Sequence, residues 1–126
     1  MSLGMKLVVA LSLIASAAGA DPLPEYLWER RPIVVIGAED DPRVVEQMAL
    51  FAEEDVELAD RRNVILRPDK SDPLAKALGA GNFEVILIGL DGGVKFRSAR
   101  VTLPDELHAL VDSMPMRREE LRRRLP

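Results

Sequence analysis

Three consecutive carboxylates, Glu39, Asp40 and Asp41, stand just before a guanidinium, Arg43. Such a group could ligate a cation, or divide general-acid and general-base roles between neighbouring carboxyls. A calcium loop, however, offers ligands at alternating positions over about a dozen residues with a turn glycine, and that spacing is absent. Local structure accounts for the acids more simply. Asp41 precedes Pro42, an N-cap before a proline at the first helical position, and its neighbours favour the positive end of that helix.

The one histidine, His108, follows Asp105 by three residues and precedes Asp112 by four. Those spacings predict a solvated helix face. Ser71, Ser98 and Ser113 are the serines beyond the first twenty residues, and none forms a recognisable Ser-His-Asp pattern. Gly79, Gly81, Gly89, Gly92 and Gly93 match neither a phosphate loop nor a dinucleotide fingerprint. The chain has no cysteine. Disulfides, thiol redox chemistry, thiol nucleophiles and cysteine-based zinc or iron–sulfur sites are therefore excluded. No catalytic residue, metal or cofactor is expected.

The 126 residues carry 17 Lys+Arg against 21 Asp+Glu, a net charge of −4. That length predicts one domain, and the acidic balance argues against nucleic-acid binding. Lys6 precedes an uncharged run, Leu7 to Ala20, that ends in Ala18-Gly19-Ala20. The run is too short to span a bilayer and has the small-residue ending of a secretory signal. Residues 1–20 are read as that signal, cut before Asp21, which predicts a periplasmic or secreted protein without a membrane span. No cysteine follows the run, so lipid attachment through one is excluded.

The elements that must position these groups follow from pattern. Residues 21–31 form a leader in which Trp28 is expected to cap the core edge. Pro32 to Gly37 is a β-branched apolar run, a buried strand. Asp41-Pro42 opens a helix whose apolar face is predicted as Val45, Met48, Ala49, Ala52, Val56 and Ala59. Val64 to Leu66 is a second strand. Asp72-Pro73 starts a short helix that Gly79 stops. Phe83 to Ile88 is a third strand. Asp91-Gly92 predicts a type I′ hairpin turn into an alternating strand, Val94 to Ser98. Thr102 with Asp105 predicts a capping box for a helix carrying Leu103, Leu107, Leu110, Val111 and Met114, which Pro115 ends.

The order β-α-β-(α)-β-β-α predicts an α/β fold: a mixed four-stranded sheet with helices on both faces, over residues 32–116. A helix joining the first two strands makes them parallel, and the tight hairpin makes the last two antiparallel. This is the minimal thioredoxin-like arrangement. In that fold reactive thiols sit between the first strand and first helix, at the helix N-terminus. Here that segment, Ala38 to Arg43, holds none. The loop before the third strand, Gly79 to Phe83, also lacks proline. The expected contact surface is this former redox edge, with Asp40, Asp41 and Arg43 on one side and Gly81, Asn82 and Phe83 on the other; pattern favours Phe83 as a core residue, and partial exposure would make it an apolar contact. The partner of this surface is an unknown protein or small ligand.

The tail, residues 117–126, is rich in arginine. Met116 to Arg124 carries five arginines against two glutamates. As a solvated helix it would pair Glu119 with Arg123 and Glu120 with Arg124. As a docking element it would meet an acidic partner.

Several segments together resemble a known family. They are Trp28-Glu29-Arg30-Arg31-Pro32, Ala38 to Arg43, Phe83 to Lys95 with its Asp91-Gly92-Gly93-Val94-Lys95, and Met114-Pro115-Met116-Arg117-Arg118. The set resembles small exported bacterial proteins of unknown function with a thioredoxin-like domain. Related domains, called P-DUDES, occur in secreted sushi-repeat and matrix-associated animal proteins. The resemblance implies a peroxiredoxin- or thioredoxin-related fold and an exported location, and brings no catalytic residues.

Three functions follow as expectations. The first is an exported, non-catalytic binding module. The second is a small hydrolase or isomerase using Asp41, Arg43 and Glu84, which requires a carboxyl with a raised pKa. The third is an assembly module that docks through the arginine-rich tail; deleting residues 117–126 would then abolish association and leave the fold intact.

Overall fold

The computed structural model describes residues 23–125. The expected signal, residues 1–20, lies outside the described residues. Leu23 is buried, and Pro24–Tyr26 form one 3-10 turn before the first strand.

The sheet has four strands: β1 (Arg31–Ile36), β2 (Asn63–Leu66), β3 (Glu84–Ile88) and β4 (Val94–Ser98). Their spatial order is β2-β1-β3-β4. β1 runs parallel to β2 and antiparallel to β3, and β3 is antiparallel to β4. β1 is buried along its whole length, as a continuous β-branched run at the centre of a sheet covered on both faces must be.

Alternation along the strands divides the core in two. Ile33, Val35, Val85 and Leu87 face α1 (Pro42–Ala52), α2 (Asp55–Asp60) and α4 (Pro104–Asp112) through Val44, Phe51, Leu58, Leu107 and Val111. Val34, Ile36, Ile86 and Ile88 face α3 (Pro73–Ala77) through Ala75 and Leu78, with Leu23 beside them. The chain closes with α5 (Pro115–Arg122). Asp41 and Asp72 cap α1 and α3 as expected, accepting from the backbone N–H of Arg43 and Leu74. Gly79 takes the positive φ of a helix stop, +63°.

Several local expectations are corrected. The core face of α1 is Val44, Gln47 and Phe51, with Met48 partly buried, while Val45 and Val56 stay 57% and 78% exposed. Both sets have helical spacing. Phe51 and Leu58 hide more apolar area than the alanines of the other stripe, and the helix breaks before Asp55. Gln47 is fully buried because its amide completes the Thr102 peptide. Gln47 Nε2 donates to the Thr102 carbonyl at 2.8 Å, and the Thr102 N–H donates to Gln47 Oε1 at 2.7 Å. Thr102 therefore forms no capping box; Leu103 occupies the N-cap of α4 without a side-chain bond.

The β3–β4 turn is not type I′. Gly92 has a φ of +84° and Asp91 is not among the positive-φ residues. The Gly92 N–H donates to the Gly89 carbonyl, and the Gly89 N–H to the Gly93 carbonyl. That is the three-residue hairpin loop, a type I turn followed by a left-handed glycine.

Candidate functional site

β1 pairs Ile36 with Glu84, so the chain leaving β1 and the loop entering β3 share one edge of the sheet. This juxtaposes the two expected sides of the contact surface. Asp41 sits at the α1 N-cap, where its Oδ1 accepts from the backbone N–H of Arg43 at 2.9 Å. Arg43 Nε and Nη2 return two further bonds to the same carboxylate, at 3.0 and 2.6 Å. The Arg43 guanidinium also lies 5.0 Å from the centroid of the Phe83 ring, within cation–π reach.

Phe83 is only 2% exposed and belongs to the core, as its pattern favours, so it offers no apolar contact at this surface. Arg43, Gly37 and Val44 stand against the ring. Asp40, Gly81 and Asn82 are exposed. Asn82 Oδ1 accepts from Lys70 Nζ at 3.1 Å.

The residues that sequence reasoning missed lie in the loop after β2. An open cleft of about 780 Å³ runs between Gly37–Glu39 and Arg67–Lys70, floored by Val44 and Met48. Arg67 Nη1 donates to the Val35 carbonyl at 2.8 Å and Nη2 to the Gly37 carbonyl at 3.3 Å. Its side chain therefore fixes the end of β1. A Cβ at Gly37, where φ is +154°, would stand 2.6 Å from Val44 Cγ2. Only glycine lets β1 turn into the cleft this tightly.

The electrostatics oppose acid–base work at this edge. The hydrogen bonds from the Arg43 side chain, then from its backbone N–H, hold the Asp41 carboxyl below the ordinary range. Arg97 does the same for Glu84, with bonds of 2.8 and 2.9 Å, and the Gly81 N–H adds to it. Both carboxylates stay ionised and occupied. A hydrolase or isomerase drawing on Asp41, Arg43 and Glu84 needed a raised pKa, and these two carboxyls shift the other way.

His108 is not the solvated residue its spacing predicts. It is 7% exposed, and its Nε2 lies 2.9 Å from Glu54 Oε1. α4 turns this position toward the start of α2, next to the buried Leu107. Glu54, Asp105 and His108 bring one ligand atom each within 4.8 Å of one another. Yet His108 Nδ1 is buried without a partner, whereas a metal-bound imidazole donates from its second nitrogen to a carboxylate or carbonyl. The geometry is that of a hydrogen-bonded pair.

The opposite end of β1 holds a network the sequence did not disclose. Arg31 and Arg117 are 1% and 2% exposed. Glu120 meets Arg31 at 3.0 Å and Arg117 at 3.4 Å. Arg117 also meets Asp60 at 2.8 Å and Asp112 at 3.1 Å. The expected Glu120–Arg124 pair is absent, because Glu120 turns inward and Arg124 pairs with Asp60 at 2.9 Å. The segment from residue 117 is thus part of α5 and packed onto the domain, and deleting it would expose a buried ionic cluster. Trp28 is 53% exposed and forms a groove wall instead of closing the core. Among the described residues no helix is long and apolar enough to cross a membrane.

Comparison with known proteins agrees with the topology. The structure is similar to that of the mitochondrial 2-cys peroxiredoxin from Plasmodium falciparum, with a TM-score of 0.52 and 10% identity. The match covers 72% of this chain and 79% of that one. The fold is therefore thioredoxin-like, on a chain without cysteine. No curated protein matches the sequence. Residues 65–120, from β2 to α5, match the family described as a domain of unknown function, DUF4174.

Proposed function

We propose that this protein is an exported binding module that uses the former redox edge of a thioredoxin-like fold to hold a partner, without catalysing thiol chemistry. One observation carries the reading. At the position where the fold places reactive thiols, Asp41 is committed to capping α1 and to Arg43, beside an open cleft of about 780 Å³. The edge keeps its shape and its opening while its polar groups are tied to each other. Asp40, Gly81 and Asn82 remain exposed around Arg43, and Val45 offers apolar area on the cleft wall. A concave, partly apolar surface with a few fixed polar groups suits recognition of a protein segment or small ligand. Export is supported by the Lys6-led apolar run and its Ala18-Gly19-Ala20 ending.

The test is chemical-shift mapping on the chain from Asp21 onward, titrated with fractions of the native periplasm. Shifts at Asp40, Asp41, Arg43, Gly81 and Asn82 are expected. Perturbation confined to another face rejects this surface. A parallel peroxidase and disulfide-reduction assay should stay at background; turnover at an enzymic rate would overturn the reading.

A further inference from the structure

Among the described residues, two non-glycine positions have a positive φ: Trp28 at 65° and Arg62 at 62°. Both lie where β1 begins, the end of the sheet opposite the former redox edge. L-residues adopt this backbone region at a cost, and such residues cluster where side chains must be held in a set direction. Here both side chains line connected hollows. Trp28, Leu90, Met114, Pro115 and Met116, together with the Asp91–Lys95 ion pair, line about 330 Å³. Leu90 and Met116 also line a hollow of about 120 Å³ whose charged groups are Arg62, Arg123, Glu119 and Glu120. A mainly apolar trough thus adjoins a hollow that holds both signs of charge.

The cations there are in excess. Arg31, Arg61, Arg62, Arg117 and Arg124 share Glu57, Asp60, Asp112 and Glu120. Glu120 is taken by the two buried arginines and approaches Arg62 only to 3.9 Å, outside hydrogen-bond range. The Arg62 side chain, 47% exposed, is left without a hydrogen bond among the described residues. Glu119 is divided between Arg122 and Arg123, and the Arg123 side chain is 76% exposed. The chain's net charge of −4 does not cancel this local field. The acids at residues 39–41 lie beyond the far end of a six-residue strand, about 20 Å away and past a Debye length of about 8–10 Å.

We propose that this trough is a second recognition site, for an acidic peptide segment of a partner protein. An apolar side chain lies against Trp28 and Met116, and a following carboxylate is taken by Arg62 and Arg123. Tryptophan and methionine give a large, adaptable apolar contact. Guanidinium groups hold a carboxylate through paired, charge-assisted bonds. The Arg31–Glu120–Arg117 cluster beneath makes the floor rigid.

Trp28 is the only tryptophan of the chain, so its fluorescence reports the site directly. The probes are a blocked peptide, Gly-Leu-Glu-Glu-Gly, its counterpart with both glutamates replaced by lysine, and phosphatidylglycerol vesicles. The acidic peptide should shift the emission to the blue and saturate below about 1 mM. The lysine peptide and the vesicles should not. Arg62→Gly keeps the positive-φ backbone and should weaken binding about tenfold without lowering the melting temperature. Met116→Ser, at an exposed position, supplies a second variant with the same expected loss. The proposal is overturned by no saturable shift, by an equal response to the lysine peptide, by a response to vesicles alone, or by unchanged affinity in both variants.

Discussion

Arg31 at the start of β1 and Glu120 in α5 lie 89 residues apart and meet at 3.0 Å, with 1% of the arginine side chain exposed. The pair fastens the last helix to the central strand, at the end of the sheet away from Asp41 and Arg43.

Removing the charge of Glu120 should therefore act on stability and not on the far edge. Glu120→Gln leaves Arg31 and Arg117 short of a counter-ion, and breaking a buried pair in this way costs about 3 kcal/mol. Equilibrium urea unfolding checks it; a change within error would show that water compensates the arginines. The same cluster sets the acid limit. Hydrogen bonds from Arg124 and Arg117 lower the Asp60 pKa from 3.8 to about 2. Burial would push Glu120 and Asp112 up, but bonds from Arg31 and Arg117 with the charge of Arg31 and Arg62 on Glu120, and bonds and charge from Arg61 and Arg117 on Asp112, leave both below their ordinary values. A carboxyl lowered in the folded state stabilises above its unfolded pKa and loses that contribution as pH falls through its folded pKa. Asp60 should thus contribute fully above pH 3.8 and lose its contribution toward about pH 2. Thermal melts across that interval measure the loss, and Asp60→Asn should flatten it.

Gln47 tests the link between α1 and the start of α4. Gln47→Met fills similar volume but leaves the buried N–H and carbonyl of Thr102 unpaired. The expected cost is about 1–3 kcal/mol for each group that water cannot reach. Thermal unfolding reads the total, and hydrogen exchange at the Thr102 amide should quicken well before global unfolding. Unaltered exchange would mean that the carboxamide does not protect this peptide.

Gly37 separates the cleft from the fold. Gly37→Ala forces a Cβ toward Val44 Cγ2 at 2.6 Å and into a disfavoured φ. Overpacking of this kind costs about 1–3 kcal/mol. The helix content should survive, while shift mapping should lose the response at Asp41 and Arg43 and keep any response of Trp28. Full binding at those residues would show that the cleft beside Gly37 takes no part in it.

The apolar runs Ile33–Ile36 and Val85–Ile88, the Asp-Pro helix starts and the turn glycine at 92 were enough for the succession of strands, the parallel β1–β2 and antiparallel β3–β4 pairs and the thioredoxin-like class; the antiparallel β1–β3 pair, the break between α1 and α2 and the closing α5 were not among them. These signals are local: a run of β-branched residues or a capping aspartate acts within a few positions, whatever surrounds it. The absence of cysteine likewise settled the thiol chemistry from composition. Which stripe of α1 is buried, whether His108 meets water, and where Glu120 finds its cation were decided only in three dimensions. Each depends on a partner far along the chain: Thr102 for Gln47, Glu54 for His108, Arg31 for Glu120. Helical spacing alone cannot distinguish an arginine that faces solvent from one that a remote carboxylate draws into the interior.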